Sequence, residues 1–368
     1  MSASSVKQFE NDPFLTVAIP HFKHRRYLEV TLASLFVQTY EDFEILISDD
    51  CSQDDSSLII PLVLKESGRP FRYYSQPVNL GYDGNVRFCL RAARGRYVFL
   101  LGNDDSLASP NTLENVVAML HGLGLPDVAF TNYEDWKTGK LVRNALRTTV
   151  LGSGALAAIT HFRSFSFVSG AIYSQKAAVE HETDRWDNSI YYQIYIACRI
   201  LAAGGQLGAL NLSTVRKDIR ISDQTVPNYV SKWANAPRSF QSRHTGLDSV
   251  IRVTANAVLP LLKNGEKSAS LRRIVAKTLV SSYPFWVVEY RRVANWSFSV
   301  GIARGFWPGK LLAEYKLAFY DRLYLWLLYL AVTFVSLLAP ISLLTRLHYL
   351  LATVFRSHQQ SSRATIIL

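Results

Sequence analysis

The first third of the chain alternates short apolar runs with helical patterns, and this alternation constrains the fold more than any other feature. The run "LTVAIP" is followed by "RYLEVTLASLFVQ", in which apolar residues recur at helical spacing. The alternation continues through "FEILISDD", "FRYYSQ", "YVFLLGNDD" and "DVAFTNY". Because single helices between strands are typical of βαβ units, the sequence predicts an α/β fold around a mostly parallel sheet.

Polar side chains follow three of these strands. They occur in "IPHF", "ISDDCSQDD" and "LLGNDDS", and they include Pro20, His21, Asp49, Asp50, Asn103, Asp104 and Asp105. In open parallel sheets ligands bind beyond the carboxyl ends of the strands. A single Asp after a strand also serves as a helix N-cap. Two Asp-Asp pairs at two strand ends favour a binding site.

Paired carboxylates in a cleft need a counter-charge. Mg²⁺ and Mn²⁺ take oxygen ligands, commonly one or two carboxylates together with phosphate oxygens of a substrate. Neighbouring strand residues face opposite ways, so we expect Asp104 and Asp105 to differ, one meeting the ion and the other orienting it or a ribose. Neither G-x-x-x-x-G-K-[ST] nor a G-x-G-x-x-G after a strand occurs. Their absence argues against P-loop and dehydrogenase functions.

Two blocks within residues 14–110 resemble a known family. The segments "LTVAIPHFKHRRYLEVTLASLFVQTYEDFEILISDDCSQDDS" and "NLGYDGNVRFCLRAARGRYVFLLGNDD" are similar to the opening and central blocks of the family 2 inverting glycosyltransferases of the bacterial surface-polysaccharide type. The resemblance implies the GT-A fold, a nucleotide-diphosphate sugar donor, and Mn²⁺ or Mg²⁺ as cofactor. It is looser over residues 111–215 and fades beyond residue 215.

The resemblance also implies roles for individual residues. Asp50 is expected to contact the nucleotide base beside Asp49, with Pro20 and His21 close by. Asn79 and Gly81 match the N-x-G before the donor-site helix, and Asn103, Asp104 and Asp105 match the acidic motif, in which Asp105 is the metal ligand. Gly170 is expected on the acceptor side. Arg220, in "RKDIRISDQT", is expected either to meet the diphosphate or to be a surface arginine.

The family's general base is an acid on a helix that corresponds here to "SIYYQIYIACRILAAGG", six residues before Arg199. Gln193 occupies that position, and an amide is a poor proton acceptor. Asp187 is the nearest acid before the helix, so we take it as the candidate base, with an N-cap or turn role as the alternative; Asp184, Glu182 and His181 are further candidates. Gln193 is also compatible with a protein that binds the nucleotide sugar without transferring it.

The C-terminal third combines positive charge with apolar and aromatic residues. Residues 251–368 contain 15 Lys or Arg and four acids, whereas residues 1–250 contain 25 of each. The 22-residue run "LYLWLLYLAVTFVSLLAPISLL" carries no charge, and a bilayer-spanning helix needs about 20 residues. Basic and aromatic residues together favour a membrane surface over nucleic acid. The alternative is a buried helical core or a dimer face, which leaves a homo-oligomer open.

These patterns predict three segments: a GT-A catalytic domain over 1–215, a helical extension over 216–284, and membrane-associated helices over 285–368. Three scattered cysteines are too few for a disulfide framework or a zinc site, and the polar N-terminus lacks an apolar signal core. We therefore expect a metal-dependent transferase on the cytoplasmic face of the cytoplasmic membrane. Its expected acceptor is a polyprenol-linked glycan. The alternative is a catalytically silent nucleotide-sugar-binding scaffold.

Overall fold

A computed structural model describes residues 4–6, 12–222, 224, 247–293 and 296–344. The chain divides into two compact units, Met1–Val226 and Pro227–Leu368. The predicted division into three segments stays a prediction, and residues 294–295 and 345–368 of the expected membrane segment lie outside the described residues.

One mixed sheet of eleven strands forms the centre of the first unit. The strands are β1 (Ser4–Val6), β2 (Leu15–His21), β3 (Phe43–Asp49), β4 (Phe71–Ser75), β5 (Tyr97–Leu100), β6 (Ser106–Leu107), β7 (Val128–Asp135), β8 (Lys140–Val142), β9 (Thr149–Ser153), β10 (Ala171–Ser174) and β11 (Gln206–Lys217). Their main order is β1-β4-β3-β2-β5-β10-β7-β11-β6, with β8 beside β7 and β9 beside β11.

The expected parallel arrangement holds for the four strands β4, β3, β2 and β5, which come from the alternating first hundred residues. Beyond β5 the sheet is mixed, because β10 inserts antiparallel to both β5 and β7. Strand β11 then runs parallel to β7. The α/β architecture is confirmed, and the departure from a mostly parallel sheet comes from five antiparallel strands that the sequence pattern did not predict, namely β1, β6, β8, β9 and β10.

Seven helices accompany the described part of this sheet. They are α1 (Arg25–Phe36), α2 (Ser56–Glu66), α3 (Gly81–Ala92), α4 (Thr112–Gly122), α5 (Gly154–His161), α6 (Gln175–Glu180) and α7 (Tyr192–Ala202). The helical spacing in α1 buries Leu28, Leu32 and Leu35 completely, as its apolar pattern predicts. These side chains join the fully buried residues of β2 and β3 in one core. This core fixes the strand ends that carry the polar residues.

The carboxyl ends of β3, β2 and β5 lie side by side. His21, the last residue of β2, stands opposite Asp49, the last residue of β3. Strand β5 pairs with β2 up to Leu100, so the "GNDD" sequence leaves the sheet at the same edge. The predicted convergence of the three strand ends is therefore present.

The second unit consists of helices where the structure describes it. They are Leu247–Val258, Asn264–Ser281, Tyr283–Val293, Trp296–Gly305, Pro308–Leu311 and Phe319–Leu338. The last of these helices contacts Asn264–Ser281, Tyr283–Val293 and Trp296–Gly305. Among the described residues, Phe319–Leu338 is the one helix whose length and composition would allow it to cross a membrane.

Candidate functional site

His21, at the end of β2, contacts the turn after β5 and the start of α2 through the two nitrogens of its buried ring. The amide nitrogen of Asn103 lies 3.2 Å from the Lys23 carbonyl and 2.9 Å from Nδ1 of His21. Since an amide N–H donates to both, Nδ1 accepts, and the ring proton sits on Nε2, 2.9 Å from the Ser56 hydroxyl. Burial lowers the pKa of His21 to about 4, against the opposing charges of Asp49 and Asp54. His21 is therefore neutral, and it aligns Asn103.

The two acids at the end of β3, Asp49 and Asp50, have different partners. Oδ2 of Asp49 accepts the Tyr73 hydroxyl at 2.6 Å, and Oδ1 accepts the Ser52 amide at 3.1 Å. Oδ1 of Asp50 accepts the Leu80 amide at 2.5 Å, while the Asn79 side chain donates to the Asp50 carbonyl at 3.0 Å. Burial raises the pKa of Asp50, although the amides of Leu80 and Gly81 oppose this. Asp50 and Asn79 thus tie β3 to the start of α3.

Asp105 lies at the centre of the acidic cluster, and only 2% of it is exposed. Its Oδ2 accepts the Ser169 hydroxyl at 2.5 Å, and its Oδ1 accepts the Asp218 amide at 2.9 Å. Burial raises the pKa of Asp105 to about 8, and the charges of Asp104 and Asp218 add to the rise. Burial also raises the pKa of Asp104, and the charge of Asp218 is the second cause of this rise. The site concentrates negative charge that a cation would stabilise.

Asp218 is a site residue that the sequence reasoning missed. It follows β11, in the left-handed region with φ of 62°, and its carboxylate pairs with Lys217 at 2.6 Å. The Ile219 amide also donates to the Asp104 carbonyl at 2.8 Å, so this segment is bound to the acidic motif by its backbone. The position of Asp218 directly after a strand could have indicated its role. This signal was not recognised because β11 itself was not predicted.

The oxygen atoms around Gly102 indicate whether the site suits a divalent ion. A Cβ built on Gly102 would lie 3.0 Å from Oδ2 of Asp105, 3.2 Å from Oδ1 of Asp104 and 3.2 Å from the Ser169 hydroxyl. No three His, Cys, Asp or Glu side chains share a metal position within the described ranges. Two converging carboxylates suit Mg²⁺ or Mn²⁺ when a diphosphate completes the oxygen shell. The residues therefore fit a metal that is shared with its substrate.

The position of the family's base is occupied by a buried amide. Gln193 is 2% exposed, and its Oε1 has no hydrogen-bond partner among the described residues. Its backbone carbonyl accepts the Tyr173 hydroxyl at 2.9 Å. An acid is thus absent from the expected position on α7, as the sequence shows.

Asp187, the candidate base, is engaged in an ion pair. Arg87 of α3 contacts both carboxylate oxygens, with Nη2 at 2.7 Å from Oδ2 and Nε at 3.2 Å from Oδ1. Nη1 of the same guanidinium contacts Glu182 at 3.1 Å. Both oxygens of the Asp187 carboxylate are therefore held by Arg87 and directed toward α3. The role of Asp187 as base stays a prediction, and this pair disfavours it.

Helix α7 begins at Tyr192, three residues later than the sequence pattern indicated. Asn188 and Ile190 adopt left-handed backbone conformations, which prevent the helix from starting at Ser189. Buried Asp83 holds this segment in place: its carboxylate accepts the Ile190 amide at 2.7 Å and the Tyr192 amide at 2.9 Å. Asp83 therefore positions the loop that precedes α7.

The remaining predicted residues occupy varied positions. Gly170 has φ of 86°, directly after Ser169 and before β10. Pro20 stands opposite Ser48 in the sheet, one residue before His21. Arg220 is exposed, two residues beyond Asp218, and its contact with a diphosphate stays a prediction. Of the loop 216–225, residues 223 and 225 lie outside the described part.

Residues 16–172 match the sequence model of Glycosyl transferase family 2. Over 97 residues the chain is 34% identical to GalNAc(5)-diNAcBac-PP-undecaprenol beta-1,3-glucosyltransferase of Campylobacter jejuni, covering 26% of this chain and 31% of that protein. Over 96 residues it is 34% identical to abequosyltransferase RfbV of Salmonella typhimurium, covering 26% and 29% respectively. The matched segment thus spans about a third of each relative.

Among solved structures, the chain is similar to residues 1–349 of S. aureus TarS, crystallised with UDP. The TM-score is 0.55 with 15% identity, over 87% of this chain and 90% of that one. This likeness concerns the fold. Together with the sequence match, it shows a GT-A-like fold in which residues 16–172 match Glycosyl transferase family 2.

Proposed function

We propose that the protein is an inverting glycosyltransferase that moves a sugar from a nucleotide-diphosphate sugar to a lipid-linked saccharide in surface-polysaccharide synthesis. The observation that carries this proposal is the convergence of the Asp104 and Asp105 carboxylates around Gly102, at an edge where the carboxyl ends of three adjacent strands lie side by side. The name of the Campylobacter relative, which specifies a polyprenol-diphosphate acceptor, supports the acceptor class.

The donor would bind across the ends of β3, β2 and β5. Asp50 and Asn79 form the base side, where their contacts hold the start of α3 in place. Asp105, aided by Asp104, would hold Mn²⁺ or Mg²⁺ against the diphosphate, and the ion would neutralise the charge that develops on this leaving group. Ser169 and the Asp218 amide orient the Asp105 carboxylate for this role.

The acceptor hydroxyl would attack the anomeric carbon opposite the diphosphate. The new bond to oxygen forms as the bond to the diphosphate breaks, and the hydroxyl proton passes to a carboxylate. Asp187 could accept that proton only after its pair with Arg87 loosens. Asp83 supports the acceptor side indirectly, because it fixes the segment between Asp187 and α7.

The second candidate function is a nucleotide-sugar-binding scaffold without transferase activity. The buried Gln193 and the paired Asp187 favour it, because neither supplies a free carboxylate where the family has its base. The acidic cluster would then bind a donor that is not consumed.

The deciding experiment is a transfer assay with purified full-length protein, a panel of nucleotide sugars, Mn²⁺, and a polyprenol-diphosphate saccharide. Glycosylated lipid product that depends on Asp105 supports the transferase proposal. Metal-dependent donor binding with neither product nor donor hydrolysis supports the scaffold.

Both proposals include attachment of the protein to the cytoplasmic face of the membrane. The transferase would meet its lipid-linked acceptor at this face, and the scaffold would meet a membrane-bound partner there.

A further inference from the structure

Helix Phe319–Leu338 turns an apolar face outward from the second unit. Leu325, Tyr329 and Ser336 are its buried residues. On the opposite side, exposed apolar or aromatic residues recur every three or four positions, which places them on one face. We call this set the apolar stripe, and it includes Tyr320, Leu323, Leu327, Leu330, Phe334 and Leu338, with exposures between 45% and 81%.

The charges of this helix lie away from the stripe. Asp321 and Arg322 are its two charged residues. Asp321 turns toward the preceding helices, where it contacts Arg272 at 3.2 Å and accepts the Ser268 hydroxyl at 2.6 Å. A surface helix in water places polar residues outward and apolar residues inward. This helix is apolar on its outward face as well as on its inward face, so the stripe requires an apolar surrounding.

Hydrogen bonds hold the other face of the helix to its neighbours along its whole length. The Tyr283 and Thr333 hydroxyls lie 2.8 Å apart, and Tyr329 donates to the Ala303 carbonyl at 2.6 Å. Arg291 donates to the carbonyls of Ser336 at 2.7 Å and Ala339 at 2.8 Å. The helix cannot leave this layer without breaking these contacts.

This attachment disfavours a bilayer-spanning orientation. The packed neighbour Asn264–Ser281 carries Arg272, Arg273 and Lys277, and it would accompany the helix into the hydrocarbon. Charged side chains are costly at the centre of a membrane. An orientation parallel to the membrane plane immerses the stripe and leaves these charges in the headgroup layer.

Positive charge and indole rings surround the helix. Residues 247–293 and 296–344 contain twelve Lys or Arg and five acids. Trp296 and Trp307 are both partly exposed and lie against the helix: Trp296 donates to the Leu337 carbonyl at 3.3 Å, and Trp307 packs on Trp326 at 4.6 Å. Indoles and cations together favour the interface of a bilayer with anionic lipids.

We propose that the apolar stripe is a membrane-docking face, immersed in one leaflet of an anionic bilayer with the helix axis in the membrane plane. Its occupant is the acyl boundary of that leaflet. Transfer chemistry is not needed for this docking, so Asp105→Asn should bind vesicles like the unaltered protein. The failure of the transferase proposal and the failure of docking can thus be observed separately.

The first test is flotation of full-length protein with vesicles of phosphatidylglycerol and phosphatidylethanolamine. Leu323→Glu with Leu327→Glu should lower vesicle binding at least about tenfold, since two leucines lose their apolar surrounding. The matched control is Leu58→Glu with Leu62→Glu on α2, two leucines with the same spacing and comparable exposure. Phe334→Gln, a milder change, serves as a second variant if the first does not fold. Equal binding by the stripe and control variants overturns the proposal.

The second test determines the orientation in cells. In a Cys51→Ser background, Ala318→Cys and Ser342→Cys place one exposed thiol beyond each end of the helix, while Cys89 and Cys198 are buried. An impermeant maleimide should label both positions in inside-out vesicles and neither in intact spheroplasts. Labelling of the two ends from opposite sides would show a spanning helix. A homodimer that is lost in the stripe variants, while their vesicle binding is unchanged, would show that a second copy covers the stripe. A spanning helix or such a homodimer would contradict the proposal.

Discussion

The hydroxyl of Ser169 donates to Oδ2 of Asp105 at 2.5 Å and accepts the Gly102 amide at 2.8 Å. One side chain thus joins the segment before β10 to both ends of the turn that carries the acidic motif. The sequence placed these two segments on different sides of the site, for donor and acceptor. In the structure, a shift of the backbone at Ser169 would therefore displace the Asp105 carboxylate.

Gly170→Ala should destabilise the protein by about 1–3 kcal/mol. Its φ of 86° is unfavourable for alanine, and the new Cβ would lie 2.3 Å from the Thr131 hydroxyl oxygen. Gly139→Ala is the matched control, because Gly139 also has a positive φ but open space around its Cβ position. Denaturant unfolding of both variants measures the difference. Equal losses would show that backbone strain alone matters at Gly170.

His21 should make stability depend on pH. Its folded-state pKa of about 4 lies below the ordinary 6.5, so the unfolded chain binds the extra proton between these values. Stability from this residue is therefore present above pH 6.5 and is lost as the pH falls toward 4, by on the order of 3 kcal/mol. In His21→Gln this component should be absent, and thermal unfolding across the range measures the difference. Parallel pH profiles would contradict the neutral, buried imidazole.

Asp187→Asn and Arg87→Gln should behave alike if the ion pair is structural. Each removes the same bidentate contact, so each should lower unfolding stability by about 1–3 kcal/mol, with strong coupling in the double variant. Their transfer rates should fall by similar factors. A loss of about 10²–10⁴-fold in Asp187→Asn alone, with normal stability, would instead establish Asp187 as the general base.

Asp50→Ala should raise the apparent KM for the donor at least about tenfold, which corresponds to roughly 1.4 kcal/mol. Because Asp50 also holds the start of α3, a loss of donor affinity by itself does not prove base contact. Competition by nucleoside diphosphates with different bases supplies the second readout. A contact with the base predicts a changed preference among them, whereas a purely structural role predicts uniform weakening.

The sequence predicted the site where local pattern was sufficient. Asp50, Asp104 and Asp105 follow strands with clear apolar runs, so their convergence could be inferred from a parallel sheet. Asp218 and Ser169 could not be found in this way, because they depend on β11 and β10, whose pairing joins distant parts of the chain. The pairing of Asp187 with Arg87 was also hidden, since 100 residues separate the two.

The unpredicted start of α7 has a similar cause. The family resemblance implied a helix from Ser189, but Asp83, on another helix, accepts the amides of Ile190 and Tyr192. Tertiary capping overrides local propensity in such a case. The same limitation applies to the apolar helix of the second unit, because its sequence is compatible with a spanning or an interfacial orientation. Its contacts on one face favour the interfacial orientation that we propose.

The most direct test of the acidic cluster as a site for a metal and a diphosphate is calorimetric titration of the full-length protein with a panel of nucleotide-diphosphate sugars, with and without Mn²⁺. We expect at least one donor to bind only when Mn²⁺ is present, and Asp105→Asn to abolish that binding while the fold remains intact. Asp42→Asn, which changes an acid in another part of the unit, is the control. Donor binding that is the same without the ion, or unchanged in Asp105→Asn, would contradict the assignment of the acidic cluster to a metal and a diphosphate.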